Sequence, residues 1–317
     1  MAVSGTASLV ATTGFAPVAM AEDVSVTAAG PLSYYAELRV AQPFKAAFDA
    51  GMRRFAQTMQ RRGALAVTLK QMVGDSTMVK NYPEPYKGML RSAYADAAQA
   101  GTLSLFYALF VRFDTGKALR AAKPDAVFDA EVLPRLHGVM LRDGKPVESA
   151  APMAVYRGVF QTVAAGDRNG IYTGDADIRA FLAKPADAAA GNSLITVENH
   201  VFIADRVMQP FEQKVVPLLK VAQETFQPAS AEDGIGRPGA ADNRFYRKAV
   251  STEILRKATP DGQQRAYIMH GILESVWDHE NSHLDPRFKA AAGPVGAMVE
   301  IGPVEPFYAT QSTVLKA

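Results

Sequence analysis

Residues 194–204 read Leu-Ile-Thr-Val-Glu-Asn-His-Val-Phe-Ile-Ala, and the fold turns on them. Branched and aromatic residues dominate the run, so a strand is predicted, with Val197, Asn199, Val201 and Ile203 on one face. Downstream, Phe211, Val215, Leu218, Leu219 and Ala222 recur at helical spacing and predict a helix over 211–226. Beyond a Gly/Ala/Pro/Asp-rich loop at 228–243, strands are predicted at 245–254 and 265–276, separated by the turn Thr259-Pro260-Asp261-Gly262. A helix at 278–292 and a strand region at 295–308, interrupted by Gly302-Pro303, complete a β-α-β-β-α-β order. That order predicts a ferredoxin-like unit with both helices on one face of an antiparallel sheet. The other sheet face is apolar and requires a second sheet over it.

The upstream half follows a related plan. Strands are predicted at 32–40, 64–72, 103–113 and 153–163. Helices are predicted at 44–59, which Gly63 should stop, at 86–98 and at 125–139. The Gly- and Ala-rich stretch 167–192, with a short helix at 178–183, reads as the boundary. Two units are therefore expected, 30–190 and 191–317. Phe128-x3-Val132-Leu133-Pro134-x-Leu136 echoes Phe211-x3-Val215-Val216-Pro217-x-Leu219, as a duplicated, proline-kinked helix would. The expected fold class is α+β: tandem ferredoxin-like domains with antiparallel sheets. The sheets would cover each other within the chain or across a homodimer.

Composition narrows the partners. Lys and Arg number 34 against 32 Asp and Glu, with no basic block, so nucleic acid is not an expected partner. With no cysteine, thiolate chemistry and disulfides are excluded. No run approaches the ~20 apolar residues of a membrane span. Residues 1–21 are uncharged and end Val18-Ala19-Met20-Ala21, the small-x-small pattern of a signal-peptidase site, yet lack a basic start. They are expected to be either an export signal, giving a periplasmic or secreted protein, or a flexible tail on a cytoplasmic one. No dinucleotide-binding, P-loop or nucleophile-elbow motif is present; Gly234-Ile235-Gly236 falls in a proline-rich loop.

Three strings carry a resemblance: Val197-Glu198-Asn199-His200-Val201-Phe202-Ile203, Leu273-Glu274-Ser275-Val276-Trp277 and His283-Leu284-Asp285-Pro286-Arg287-Phe288-Lys289. From residue 193 to about 311 the chain resembles the dimeric α+β barrel superfamily, and within it the antibiotic-biosynthesis-monooxygenase (ABM) group, which includes quinol and haem-degrading monooxygenases. The resemblance implies an Asn-Trp-His set: Asn199 on the first strand, Trp277 ending the third, His283 on the second helix. Trp277 and His283 stand closer together than that pattern places them, which leaves His279 or His270 as alternatives to His283.

Each residue also has a plain structural reading. Asn199 on an apolar face needs a hydrogen-bond partner whether or not it meets a substrate. Trp277, the single tryptophan, serves equally as core. His279 and His283 stand at i, i+4 on one helical face, but two ligands do not close a metal site, and none is expected. The expected function is a cofactor-free or haem-related monooxygenase acting on a small aromatic or quinol-type compound, in a pocket of roughly 300 Å3 or more between sheet and helices. There Asn199 would orient the substrate, Trp277 stack on it and His283 move the proton. No cofactor is expected in the first form, haem in the second. The alternative is a non-enzymatic small-molecule-binding or stress-related protein of the same barrel type.

Overall fold

A computed structural model describes residues 30–75, 104–135, 137–142, 145–152, 155–188, 194–224, 249–283 and 285–316. Its strands are β1 (Leu32–Val40), β2 (Ala66–Asp75), β3 (Leu105–Phe113), β4 (His137–Arg142), β5 (Lys145–Pro152), β6 (Val155–Asp167), β7 (Gly170–Tyr172), β8 (Ile195–Ala204), β9 (Ser251–Lys257), β10 (Gln264–Leu273), β11 (Val299–Val304) and β12 (Pro306–Leu315). The helices are α1 (Lys45–Arg61), α2 (Gly116–Ala122), α3 (Pro124–Glu131), α4 (Asp175–Leu182), α5 (Met208–Gln223), α6 (Val276–Ser282) and α7 (Pro286–Gly296). The fold is α+β.

Strand pairing is antiparallel throughout and closes on itself. The order β1-β3-β2-β12-β8-β10-β9-β6 returns through β6 to β1. The first half contributes the ferredoxin-like order β6-β1-β3-β2 and the second β12-β8-β10-β9. Two seams join them: β2 with β12, running from Pro306↔Asp75 to Leu315↔Ala66, and β6 with β9, from Phe160↔Lys257 to Asp167↔Ser251. The bare sheet faces predicted from sequence thus cover each other within one chain. Closure pairs both edges of the barrel sheet among the described residues, and unpaired edges are what make open sheets prone to associate. The β4–β5 hairpin pairs separately.

Period-two alternation sorts side chains to the two surfaces of the barrel. Tyr34, Leu38, Leu109 and Val111 pack outward under α1 and α3, against Phe48, Phe55 and Phe128. Val201 and Ile203 pack outward under α5, against Phe211 and Val215. Inside, Tyr35, Ala108, Phe110, Phe160, Leu255, Ile268 and Tyr308 form a core drawn from both units.

Beside that core the barrel encloses charge. Arg112 of β3 makes a two-pronged bond to Glu253 of β9 (2.8 and 2.7 Å) and donates to Ser33 (2.7 Å), while the Thr162 hydroxyl donates to Glu253 (2.6 Å). Lys70 of β2 reaches Asp187 (2.6 Å), Thr196 (2.7 Å) and His270 Nε2 (3.0 Å). Burial and the Lys70 and Arg112 charges hold His270 well below its ordinary range, so its ring is a neutral acceptor. Burial opposes the Asp187 charge, but Lys70 outweighs it and the carboxyl is lowered. The segment Phe181, Leu182 and Pro185 to Asp187 lies over Lys70, Arg112, Glu253 and His270, leaving only a void of about 20 Å3. The stretch expected as an inter-domain boundary therefore caps one end of the barrel.

Several sequence expectations change. The helix expected over 125–139 stops at Glu131, and Pro134 sits in a short 3-10 turn before β4. Pro217, by contrast, lies inside α5, so the echo does not mark two equivalent kinked helices. The helix expected over 278–292 is two. Asp285 is extended, as a residue before proline prefers, and its carboxylate caps α7 by accepting from the Arg287 amide at 2.8 Å. The helix expected at 86–98 lies outside the described residues.

Removing one partner of the enclosed pair leaves the other charge stranded. Glu253→Ala is expected to cost about 3–5 kcal/mol in urea unfolding, whereas the double change Arg112→Met/Glu253→Leu should recover most of the loss.

Candidate functional site

Strand β8 carries two sites on opposite faces. Asn199 points outward beneath the helices. Its Nδ2 donates to Glu305 at 2.6 Å, and its Oδ1 is buried without a hydrogen bond among the described residues. Glu305, the single residue between β11 and β12, is 5% exposed, and burial pushes its carboxyl up to about 7 despite the Asn199 bond. His279 and His283 complete the cluster. Their rings meet edge to face at 4.6 Å, with Phe307 5.3 Å from His279 and Phe288 5.5 Å from His283. One donor atom from each of His279, His283 and Glu305 lies within 4.8 Å of the others. Burial, then the neighbouring His283, lowers the His279 pKa well below its usual value, so the ring is neutral.

Of the three residues read from sequence, Asn199 and His283 are therefore brought together through Glu305. Trp277 does not end the third strand: β10 stops at Leu273, Ser275 Oγ accepts from the Asp278 amide at 3.2 Å, and Trp277 falls in α6. Its side chain lies outside the described residues. His270, the alternative to His283, is committed to Lys70 inside the barrel.

The inward face of the same strand holds a second arrangement. A cavity of about 290 Å3 at the barrel end remote from the cap is lined by Tyr156, Phe160, Phe202, Ile268, Tyr308 and His200, with Glu37 at its rim. His200 Nδ1 lies 3.6 Å from Glu37, and its Nε2 is 3.5 Å from Glu198 Oε2, an ion-pair separation rather than a hydrogen bond. That Nε2 is buried and makes no hydrogen bond among the described residues. Burial opposes a charged His200 ring, but Glu198 and Glu37 outweigh it and the pKa rises above its ordinary value. The Tyr35 hydroxyl is 2.8 Å from Glu198 Oε2 and 2.9 Å from Glu37 Oε1. One hydroxyl proton cannot serve two carboxylates. Burial holds the Glu37 carboxyl above its usual range, so Glu37 is the partner placed to supply the second proton.

The expected pocket with both Asn199 and His283 on its wall is not this cavity, which borders neither. His283 packs on His279 and Phe288 behind the strand, away from this cavity. Two signals went unused in the sequence. His279-Glu280-Asn281-Ser282-His283 is a His-Glu-x-x-His run, so the pair of histidines belongs to a recognisable metal-binding pattern. His200 follows Asn199 directly, and alternation alone sends it to the opposite face. Nothing local marked Glu305, Tyr35 or Glu37.

Residues 31–118 match the ABM-like domain, and residues 163–311 match the CT0912-like, C-terminal domain. Curated proteins include none that matches the chain. Among solved structures, an anthrone oxidase-like protein aligns at a TM-score of 0.50 and 10% identity over 91% of this chain and 94% of its own. Provisionally assigned monooxygenases from Fusobacterium nucleatum and Lactobacillus acidophilus align at 0.49 and 0.46. Their identities are 8% and 11%, over 92% and 90% of this chain and 96% and 99% of theirs. At 10% identity the likeness to the anthrone oxidase-like protein is one of fold alone. The ABM resemblance, expected in the last third, belongs to the first unit. Both units repeat the same element order, so short matched strings do not separate them. Residues 31–118 are thus similar to the ABM-like domain, and they close into one barrel with a unit whose residues 163–311 are similar to the CT0912-like C-terminal domain.

Proposed function

We propose that this protein is a monooxygenase of the ABM type that takes a flat phenolic compound into the aromatic barrel cavity and uses His200 as its base. The observation that carries the reading is His200 Nε2, buried, unbonded among the described residues and set in the wall of a cavity to which Tyr156, Phe160, Phe202 and Tyr308 also contribute. An acceptor so placed is suited to a substrate hydroxyl, and two neighbouring carboxylates raise the proton affinity of the ring, which makes it a stronger base. Phenol deprotonation gives an electron-rich anion that reduces dioxygen directly. For a substrate with an activated CH2 the balance is CH2 plus O2 to C=O plus H2O, all four electrons coming from the substrate. His200 takes the phenolic proton, and Tyr35 with Glu37 and Glu198 passes protons toward the oxygen that leaves as water. Asn199 and His283 lie behind the strand and take no part in this step.

His200→Gln and Tyr35→Phe are each expected to lower kcat for oxygen-dependent quinone formation by about 10²–10⁴-fold. Unchanged turnover in His200→Gln would remove the mechanism. Binding of the phenol with no oxygen uptake in the wild type would instead make the chain a small-molecule-binding protein. A second measurement addresses the base itself. Glu37→Gln removes one carboxylate that favours the charged ring, so the His200 titration followed by NMR should move to lower pH. Because the folded pKa is raised, His200 contributes stability that is fully present below about 6.5 and lost as pH rises through its folded value. That pH dependence should shrink in Glu37→Gln.

A further inference from the structure

We propose that His279, His283 and Glu305 form a binding site for one divalent transition-metal ion, with Asn199 positioning the carboxylate. The inference is independent of the oxygenase reading, because it concerns the opposite face of β8. Two imidazoles and a carboxylate form a donor set that zinc and ferrous iron accept. They come from separate parts of the chain: the histidines from α6 and the turn after it, the glutamate from the β11–β12 junction. The tertiary fold therefore supplies the third ligand that a histidine pair lacks.

The geometry fits an ion. The three donor atoms lie within 4.8 Å of one another, and ligand distances of about 2.0–2.1 Å require neighbouring donors to stand roughly 3.4 Å apart. Side-chain rotations that draw the donors in by about 1.4 Å close the set. The Asn199 amide, 2.6 Å from Glu305 Oε1, fixes one carboxylate oxygen in the manner of an outer-shell partner. Asn199 Oδ1, buried and unbonded among the described residues, remains available to an ion-bound water. Phe288 and Phe307 flank the histidines and limit solvent. Three protein ligands leave the coordination open at one or more positions, the pattern of a reactive rather than a purely structural site.

The full chain, stripped with EDTA and dialysed, should take up zinc at one equivalent in calorimetry. It should give cobalt(II) absorption bands of a low-coordinate nitrogen–oxygen site, and melt at higher temperature with zinc than without. His279→Ala and His283→Ala should abolish stoichiometric uptake. Glu305→Gln, which keeps the side-chain size, and Asn199→Ala should each weaken it about 10–100-fold while far-UV circular dichroism stays unchanged. No one-to-one uptake by the wild-type chain, or uptake that persists in His279→Ala/His283→Ala, would overturn the proposal. Neither outcome bears on oxygen-dependent turnover through His200.

Discussion

Backbone pairing across the two seams, β2 with β12 and β6 with β9, is the constraint on which the rest of the molecule depends. Each half is a four-stranded sheet with helices on one side and nothing of its own on the other. Closing the two sheets edge to edge buries both bare faces at once and pairs the strand edges. The interior becomes a volume to which both units contribute: Tyr35, Phe110 and Phe160 from the first, Leu255, Ile268 and Tyr308 from the second. Neither unit has a complete core without the other.

The price of such closure is that polar groups trapped inside must satisfy one another. Arg112 with Glu253 does so across the unit boundary, and Lys70, paired with Asp187 of its own unit, reaches the Thr196 hydroxyl and the neutral His270 of the other. Such pairs contribute little net stability over an apolar core, because desolvation offsets most of the attraction. Their cross-unit geometry instead penalises misregistered closure, since a shifted strand would leave a charge alone. The capping segment that ends in Asp187 depends on the same logic, as it meets Lys70 only when the barrel is shut.

One strand illustrates how this scaffold places chemistry. Along β8, Thr196, Glu198 and His200 point inward, to Lys70, Tyr35 and the aromatic cavity; Val197, Asn199 and Val201 point outward, to the helices. Adjacent residues therefore serve separate environments, one holding His200 with Glu198 and Tyr35 and one holding His279 and His283 around Glu305. Gly302 is part of the same arrangement. At φ +104° it brings the β11–β12 connection against the strand, where an added Cβ would meet the His200 carbonyl oxygen at 2.5 Å. That close approach sets Glu305 beneath Asn199.

The sequence alone determined the principal strands and helices and their order, though not the β4–β5 hairpin or the break at Asp285, because strand alternation, helical spacing and Gly63 act over a few residues. It also placed Asn199 on the same strand face as Val197, Val201 and Ile203, and showed a sheet face that needed a cover. Only the tertiary structure decided that the cover is the other half of the same chain, and which side chains converge. Glu305 reaches Asn199 across 106 residues and Glu198 reaches Tyr35 across 163. Contacts at such separations follow from strand register and barrel closure, which are properties of the whole sheet and leave no mark on the local pattern of any one strand.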